Sequence, residues 1–133
     1  MIRLLTGPDL NVPKIPECYV VEWAEAGKRV VFSYAQQGNA ITIHFACEKD
    51  ALRDVKSAIV DFCEWLFWGY RWCEMIFGMV GRKSIARIAK KCGFVWLTRA
   101  DDLEIYVLLK KQAEDKLGYH ANHGRANNAT IGG

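Results

Sequence analysis

The chain has 133 residues, of which 51% are hydrophobic and 25% are charged, and these are the proportions of a globular domain. Its formal net charge of +3 is too small to indicate a nucleic-acid-binding protein by itself. The composition therefore excludes a collagen-like chain, a fully disordered chain and a disulfide-stapled scaffold. It does not specify a function.

The cysteines indicate a reducing compartment. There are five of them, an odd number, and they are widely spaced with no C-x-x-C pair. Secreted disulfide frameworks are normally even in number and denser. The N-terminus has no signal-peptide pattern, and the longest apolar stretch, residues 62–80, is interrupted by charged residues. We therefore expect reduced, mostly buried cysteines in a cytoplasmic protein that does not cross a membrane.

The histidines do not predict a metal site. His44 and Cys47 have H-x-x-C spacing, and His120 and His123 have H-x-x-H spacing. Zinc needs four donors that converge in a tetrahedron. Since the first pair falls at a strand end and the second in a polar tail, we interpret these side chains as isolated and expect no metal.

The first part of the chain predicts an antiparallel β-meander. A short apolar segment, Met1–Leu5, is followed by an irregular connection over residues 11–17 that contains two prolines. Three β-rich segments then follow at Cys18–Ala24, Arg29–Ala35 and Ala40–Ala46, separated by short turns. Strands joined by tight turns pair antiparallel.

A helix is predicted from Asp50, as its N-cap, to about Trp68. Apolar residues recur there in steps of three and four, which is one stripe of a helix. They are Leu52, Val55, Ile59, Phe62 and Leu66. The end of this helix is rich in aromatic residues up to Trp72, which we interpret as a helix end packed under its neighbours. The alternative is an exposed aromatic patch for a partner.

The remaining segments complete an α+β fold. Cys73–Val80 is a buried strand, and it can lie parallel to the strand before the helix through a right-handed crossover. Lys83–Cys92 is a second helix, and Phe94–Thr98 with Glu104–Lys110 forms a closing hairpin. We expect a mixed sheet of about six strands flanked by two main helices. Residues 1–111 would form this domain, and residues 112–133 a polar, flexible tail or an arm that only a partner would order.

The end of the second helix carries a resemblance to a known family. Lys91-Cys92-Gly93-Phe94 is similar to the K-x-G-F step that leads from a helix into the closing hairpin of GNAT (Gcn5-related) N-acetyltransferases. The resemblance covers Val20–Lys110 and implies that fold, with its initial strand and helices shortened. In this short form the chain is most similar to small acetyltransferase-like proteins of tailed bacteriophages. That likeness implies a location in the host cytoplasm or the virion.

Two departures from the family concern its enzymatic parts. GNAT enzymes hold the acyl-CoA pyrophosphate on a glycine-containing R/Q-x-x-G-x-G/A loop. The corresponding residues, 46–53, contain no glycine and carry Glu48 and Asp50. The tyrosine that serves as general acid in the family falls at Ala89, which cannot donate a proton. These departures predict a non-catalytic protein that acts through protein contacts, in virion assembly or host interference.

Two alternatives remain. An active acyltransferase would use His44 or Glu74 as its base. The resemblance implies a cleft between the strand before the first long helix and the strand after it, and residues near that cleft would then hold acetyl-CoA. These are Cys47, Lys49, Arg53, Arg82 and Lys83. A small nucleic-acid-binding protein would instead use the basic face of the second helix, although that face has no interleaved aromatic residue. A cleft plugged by bulky side chains would argue against an enzyme.

Overall fold

The computed structural model describes residues 1–116, which form one mixed sheet with helices against it. The elements are β1 (Ile2–Leu4), β2 (Tyr19–Glu25), β3 (Lys28–Gln37), β4 (Ala40–Cys47), a 3-10 helix (Lys49–Asp54), α1 (Val55–Gly69), β5 (Met75–Val80), α2 (Lys83–Lys91), β6 (Val95–Ala100), β7 (Leu103–Leu109) and α3 (Lys110–Lys116). The strand order is β1-β2-β3-β4-β5-β7-β6, and only the β4–β5 pair is parallel. The predicted α+β class, crossover and closing hairpin are confirmed. The sheet has seven strands rather than about six because β1 pairs with β2.

The start of the first long helix differs from the prediction. A 3-10 helix precedes α1, and Asp50 caps neither of them, since their N-caps are Glu48 and Asp54. Neither of these carboxylates makes a capping hydrogen bond. Glu48 pairs instead with Arg29 at 3.6 Å, and Asp54 with Lys28 at 3.4 Å. Glu48 and Asp54 are therefore engaged by the β2–β3 hairpin, whereas Asp50 is exposed.

Both main helices cover the same face of the sheet. Phe62 of α1 stacks on Phe32 of β3, with ring centroids 4.1 Å apart. The Cys92 thiol at the end of α2 lies 3.7 Å from the Lys56 carbonyl of α1, which joins the two helices. Phe67 is fully buried in this core, and Trp65 and Trp68 pack against it. The contacts support packing of the aromatic helix end under its neighbours rather than an exposed aromatic patch.

The segment between β1 and β2, residues 5–18, covers part of the opposite face. Arg29 donates to the Pro8 carbonyl at 2.7 Å, and the Ser33 hydroxyl donates to the Pro13 carbonyl. Val12, within this segment, is buried. Since residues 5–18 contain no helix or strand, these side-chain bonds hold the segment to the sheet.

The C-terminal helix extends the ordered part beyond the predicted boundary at residue 111. Ala113 of α3 is fully buried, and the Lys110 ammonium lies 5.2 Å from the centroid of the Trp68 ring. The predicted flexible tail otherwise concerns residues 117–133, which lie outside the described residues. In residues 1–116, no helix is both long and apolar enough to span a membrane.

The indole of Trp23 links β2 to α1. Its Nε1–H donates to Asp61 at 2.9 Å, and the ring is buried. Trp23→Phe should lower the free energy of unfolding by about 1.5 kcal/mol, because a hydrogen bond to a charged acceptor is lost from a buried site. Urea unfolding measures this loss. Trp96→Phe is the matched control, since its indole donates to Glu104 at 2.8 Å in an exposed setting. An equal loss in both variants would contradict the prediction.

Candidate functional site

The two parallel strands, β4 and β5, pair over only part of their length, and we call the gap between their unpaired ends the cleft. The β4–β5 ladder runs from Ala40 opposite Met75 to Ile43 opposite Gly78 and then stops. Beyond this point β4 continues along β3 as far as Cys47, and β5 continues along β7. The two strands therefore separate toward their carboxyl ends, which is the end of an open sheet where ligands bind.

Main-chain groups line one wall of this cleft. Glu48, which directly follows β4, donates its N–H to the Arg29 carbonyl at 3.4 Å. Along an antiparallel pair every second residue bonds to the partner strand, so the even-numbered residues of β4 are those that bond to β3. The N–H and C=O groups of Phe45 and Cys47 therefore point away from β3, toward the side on which β5 no longer pairs with β4. This edge can bind an extended ligand that carries amide groups.

His44 is the ionisable side chain of β4 at the point where the cleft begins. It is half-buried, and its Nδ1 atom is buried without a hydrogen-bond partner. Burial lowers the pKa of this imidazole below its usual 6.5, so the ring is neutral at pH 7. Its cross-strand partner is Ser33, whose hydroxyl is used by Pro13. A neutral imidazole with an unused nitrogen can accept a proton.

The thiol of Cys47 is not an activated nucleophile. The side chain is half-buried, and burial raises the pKa of the thiol. A protonated thiol is a poor nucleophile. All five cysteines are free, and three of them are buried: Cys63, Cys73 and Cys92. Cys47 therefore lines the cleft and does not serve as a reactive group.

Basic side chains follow both strands at the cleft end. Lys49 and Arg53 come after β4, and Arg82 and Lys83 come after β5; all four are exposed. None of them forms an ion pair with another residue of the described chain. The remaining basic residues of α2, Arg87, Lys90 and Lys91, are exposed further along that helix. The carboxyl ends of β4 and β5 thus carry a basic rim that suits an anionic ligand.

Glu74, the second predicted base, lies at the other end of β5. Its N–H donates to the Asn39 carbonyl just before β4, at 2.9 Å, and its side chain is exposed. Asn39 precedes His44 by five residues along the strand, so Glu74 and His44 are roughly 17 Å apart. The structure therefore brings His44 to the cleft together with Cys47 and the basic rim, and it leaves Glu74 outside.

Residues 1–116 contain no group of three or more histidine, cysteine, aspartate or glutamate side chains that could hold a metal ion. The His120 and His123 pair lies outside the described residues. The free main-chain edge at Phe45 and Cys47 was not identified from the sequence. Its position depends on which strands flank β4 and where the parallel ladder ends, and no local residue pattern encodes either.

Comparison with known proteins places the chain by its fold. No protein-family model and no curated protein sequence matches it. Solved structures do. A point variant of the spermidine N-acetyltransferase SpeG from Vibrio cholerae superposes with a TM-score of 0.63 at 10% identity, covering 77% of this chain and 71% of that chain. A ribosomal-protein-S5-alanine acetyltransferase from Vibrio fischeri gives 0.60 at 12% identity, covering 69% and 61%. AAC(6')-Ib, in a complex that contains acetyl-CoA, gives 0.60 at 12% identity, covering 74% and 68%. The fold is that of GNAT acetyltransferases, as the sequence resemblance implied.

Proposed function

We propose that this protein is an acyl-CoA-dependent N-acyltransferase with an atypical donor site. The observation that carries the proposal is the early end of the β4–β5 ladder at Ile43 and Gly78. It leaves β4 with a free strand edge at the cleft, and a neutral histidine lies where the cleft begins. The fold neighbour that contains acetyl-CoA supports the choice of donor.

The residues at the cleft fit such a donor in two respects. Its extended arm contains amide groups, which match the main-chain N–H and C=O groups of Phe45 and Cys47. Its phosphates are anionic, and the exposed Lys49, Arg53, Arg82 and Lys83 surround the cleft end. The turn after β4 lacks the glycines that would let the backbone approach the phosphates closely. In this proposal the charges of the basic side chains bind the phosphates in place of backbone N–H groups. The negative charge of Glu48 is offset by its ion pair with Arg29.

His44 would serve as the general base. The half-buried imidazole accepts the proton that the acceptor amine loses as the new C–N bond forms and the C–S bond to the CoA thiol breaks. A neutral imidazole is required for this step, and burial keeps His44 neutral. Ala89 supplies no proton to the leaving thiolate, so water must do so. This arrangement predicts a slow enzyme.

A non-catalytic binding protein is the second candidate. The glycine-free, acidic turn over residues 46–53 and the alanine at position 89 favour it, since both family features for catalysis are missing. A bacteriophage origin and a role through protein contacts in assembly or host interference remain predictions within this candidate. The two candidates differ in turnover.

Titration with acetyl-CoA tests the donor site. Arg82→Gln/Lys83→Gln should weaken acetyl-CoA binding by roughly tenfold in isothermal titration calorimetry, because two cations near the phosphates are removed. The matched control is Arg71→Gln/Lys111→Gln, which removes the same charge at the opposite end of the sheet. Its affinity should equal that of the unaltered protein.

The outcomes separate the candidates. Absence of acetyl-CoA binding to the unaltered protein contradicts the proposed donor site. Binding without thiol release across a panel of primary amines favours the non-catalytic candidate. Binding together with amine-dependent thiol release supports the acyltransferase.

A further inference from the structure

The strand at one border of the sheet has no neighbour on its outer side among residues 1–116. β6 pairs with β7 on one side, and its other side is the edge of the sheet. Each of its six residues is exposed, and Val95, Trp96 and Leu97 are 56%, 52% and 49% exposed. Three consecutive large apolar residues on a strand edge favour pairing with another strand. No element of residues 1–116 covers this edge.

The main chain of β6 presents two sets of bonding groups outward. Just beyond the ends of β7 and β5, the Lys110 N–H donates to the Glu74 carbonyl. Because successive residues of a strand bond to opposite neighbours, the even-numbered residues of β7 bond to β5 and the odd-numbered residues bond to β6. The β6 residues opposite those even-numbered positions are Trp96 and Arg99. Their N–H and C=O groups therefore point away from β7. A bulge that skips Leu97 puts both on this edge although they are three residues apart.

The side chains at these two positions share a face and are held together. The Glu104 carboxylate accepts from the Trp96 indole at 2.8 Å, and the Arg99 Nε atom lies 4.0 Å from the same carboxylate group. The edge therefore displays an aromatic ring at one end and a cation at the other.

Charge is also distributed unevenly along the edge. Lys90 and Lys91 precede the start of β6, and Asp101 and Asp102 follow its end; all four are exposed. If two copies of β6 paired parallel, like charges would meet at each end. If they paired antiparallel, the basic end of one copy would meet the acidic end of the other. The edge is therefore complementary to itself in the antiparallel direction.

We propose that a second copy of this chain pairs with β6 in antiparallel orientation, around a two-fold axis that passes between Leu97 and Thr98. In this register Trp96 of one copy faces Arg99 of the other and exchanges both main-chain hydrogen bonds with it. The same bulge occurs in both copies, so the register is kept on each side of the axis. The two sheets become one continuous sheet.

Charge reversal tests this homodimer by sedimentation equilibrium. The basic-end variant is Lys90→Glu/Lys91→Glu, and the acidic-end variant is Asp101→Lys/Asp102→Lys. Each should raise the dimer dissociation constant by about tenfold or more, since like charges then face each other. An equimolar mixture of the two variants should dimerise again, because both contacts regain opposite charges. Lys14→Glu/Lys28→Glu, on the opposite half of the sheet, carries the same charge change as the basic-end variant and should dimerise like the unaltered chain.

Recovery of dimer only in the mixture supports the proposed interface, and it cannot be explained by misfolding of either variant. An unaltered chain that is monomeric up to its solubility limit overturns the proposal. So does a dimer that both variants leave intact, because its interface then lies elsewhere. Leu97→Lys is a further check, since a charge in the middle of the edge should also give monomers that remain folded.

Discussion

Replacement of His44 by alanine is expected to slow acyl transfer to a primary amine by roughly 10²- to 10⁴-fold. The imidazole lies where β4 leaves β5, with its Nδ1 unpartnered, and it is the base of the proposed reaction. Affinity for acetyl-CoA should not change, because the proposed donor contacts come from the main chain of Phe45 and Cys47 and from the basic rim. Thiol release with saturating amine measures the rate, and calorimetry measures the affinity.

The pH profile gives an independent readout of the same group. Burial lowers the pKa of His44, and its cross-strand partner Ser33 carries no charge. The base form is the neutral one, so kcat/KM should rise with pH through this lowered pKa and level off above it. The acidic limb should lie below pH 6.5 and should be absent in His44→Ala.

Glu74→Gln is the control, since its carboxylate lies at the far end of β5 and should leave the rate unchanged. A large rate loss in Glu74→Gln with none in His44→Ala would contradict the assignment of the base. An acid limb that persists unchanged in His44→Ala would do so as well.

Replacement of Glu22 by alanine is expected to lower the free energy of unfolding by about 3 kcal/mol at pH 7. The carboxylate is completely buried on the face covered by residues 5–18. It accepts from Arg3 at 2.6 Å, from the Thr6 hydroxyl at 2.9 Å and from the Arg29 Nε atom at 3.0 Å. Removal of the anion leaves Arg3 without its ion-pair partner and leaves Arg29 with only the more distant Glu48, at 3.6 Å. Glu25→Ala is the control, because this exposed carboxylate of the same strand pairs only with the terminal amino group.

Glu22 should also make stability depend on pH. Burial by itself would raise the pKa of this carboxyl, but the hydrogen bonds from Arg3, Thr6 and Arg29 outweigh it and lower the pKa from 4.5 to about 2. A lowered pKa stabilises the fold above the unfolded value of 4.5, and this stabilisation is lost as the pH falls toward 2. The shift corresponds to about 3 kcal/mol.

Urea unfolding at a series of pH values between 7 and 2 measures this dependence. The unaltered protein should lose more stability over the acidic part of the range than Glu22→Gln, in which the titrating group is absent. Equal losses in the two proteins would show that other carboxyls are responsible.

Much of the architecture was predictable because its signals are local. Alternating apolar residues and short turns indicate the meander, and the three-and-four spacing up to Leu66 indicates α1. Gly93 after the basic helix marks its end, and its positive φ of 98° shows why a glycine is used there. The terminal elements were less visible. The three-residue β1 depends on its pairing with β2, and α3 depends on burial of Ala113.

The candidate site was predictable only in part. His44, Cys47 and the basic residues were singled out by type and place in the chain, and they do lie at the cleft end of the sheet. Glu74 was singled out by the same reasoning, but the register between β4 and β5 places it at the opposite end. The sequence contains no local pattern for this offset, since it is set by where two distant strands begin to pair.

The sequence by itself determined most elements of this protein, their order, and the absence of glycine over residues 46–53 and of tyrosine at position 89, because residue type and spacing decide these directly. Only the tertiary structure decided where the parallel ladder ends, which main-chain groups it leaves free, which strand forms the sheet edge and how residues 5–18 are tied to Glu22. Hydrogen bonds and ion pairs between segments far apart in the chain decide these features, so no local pattern encodes them.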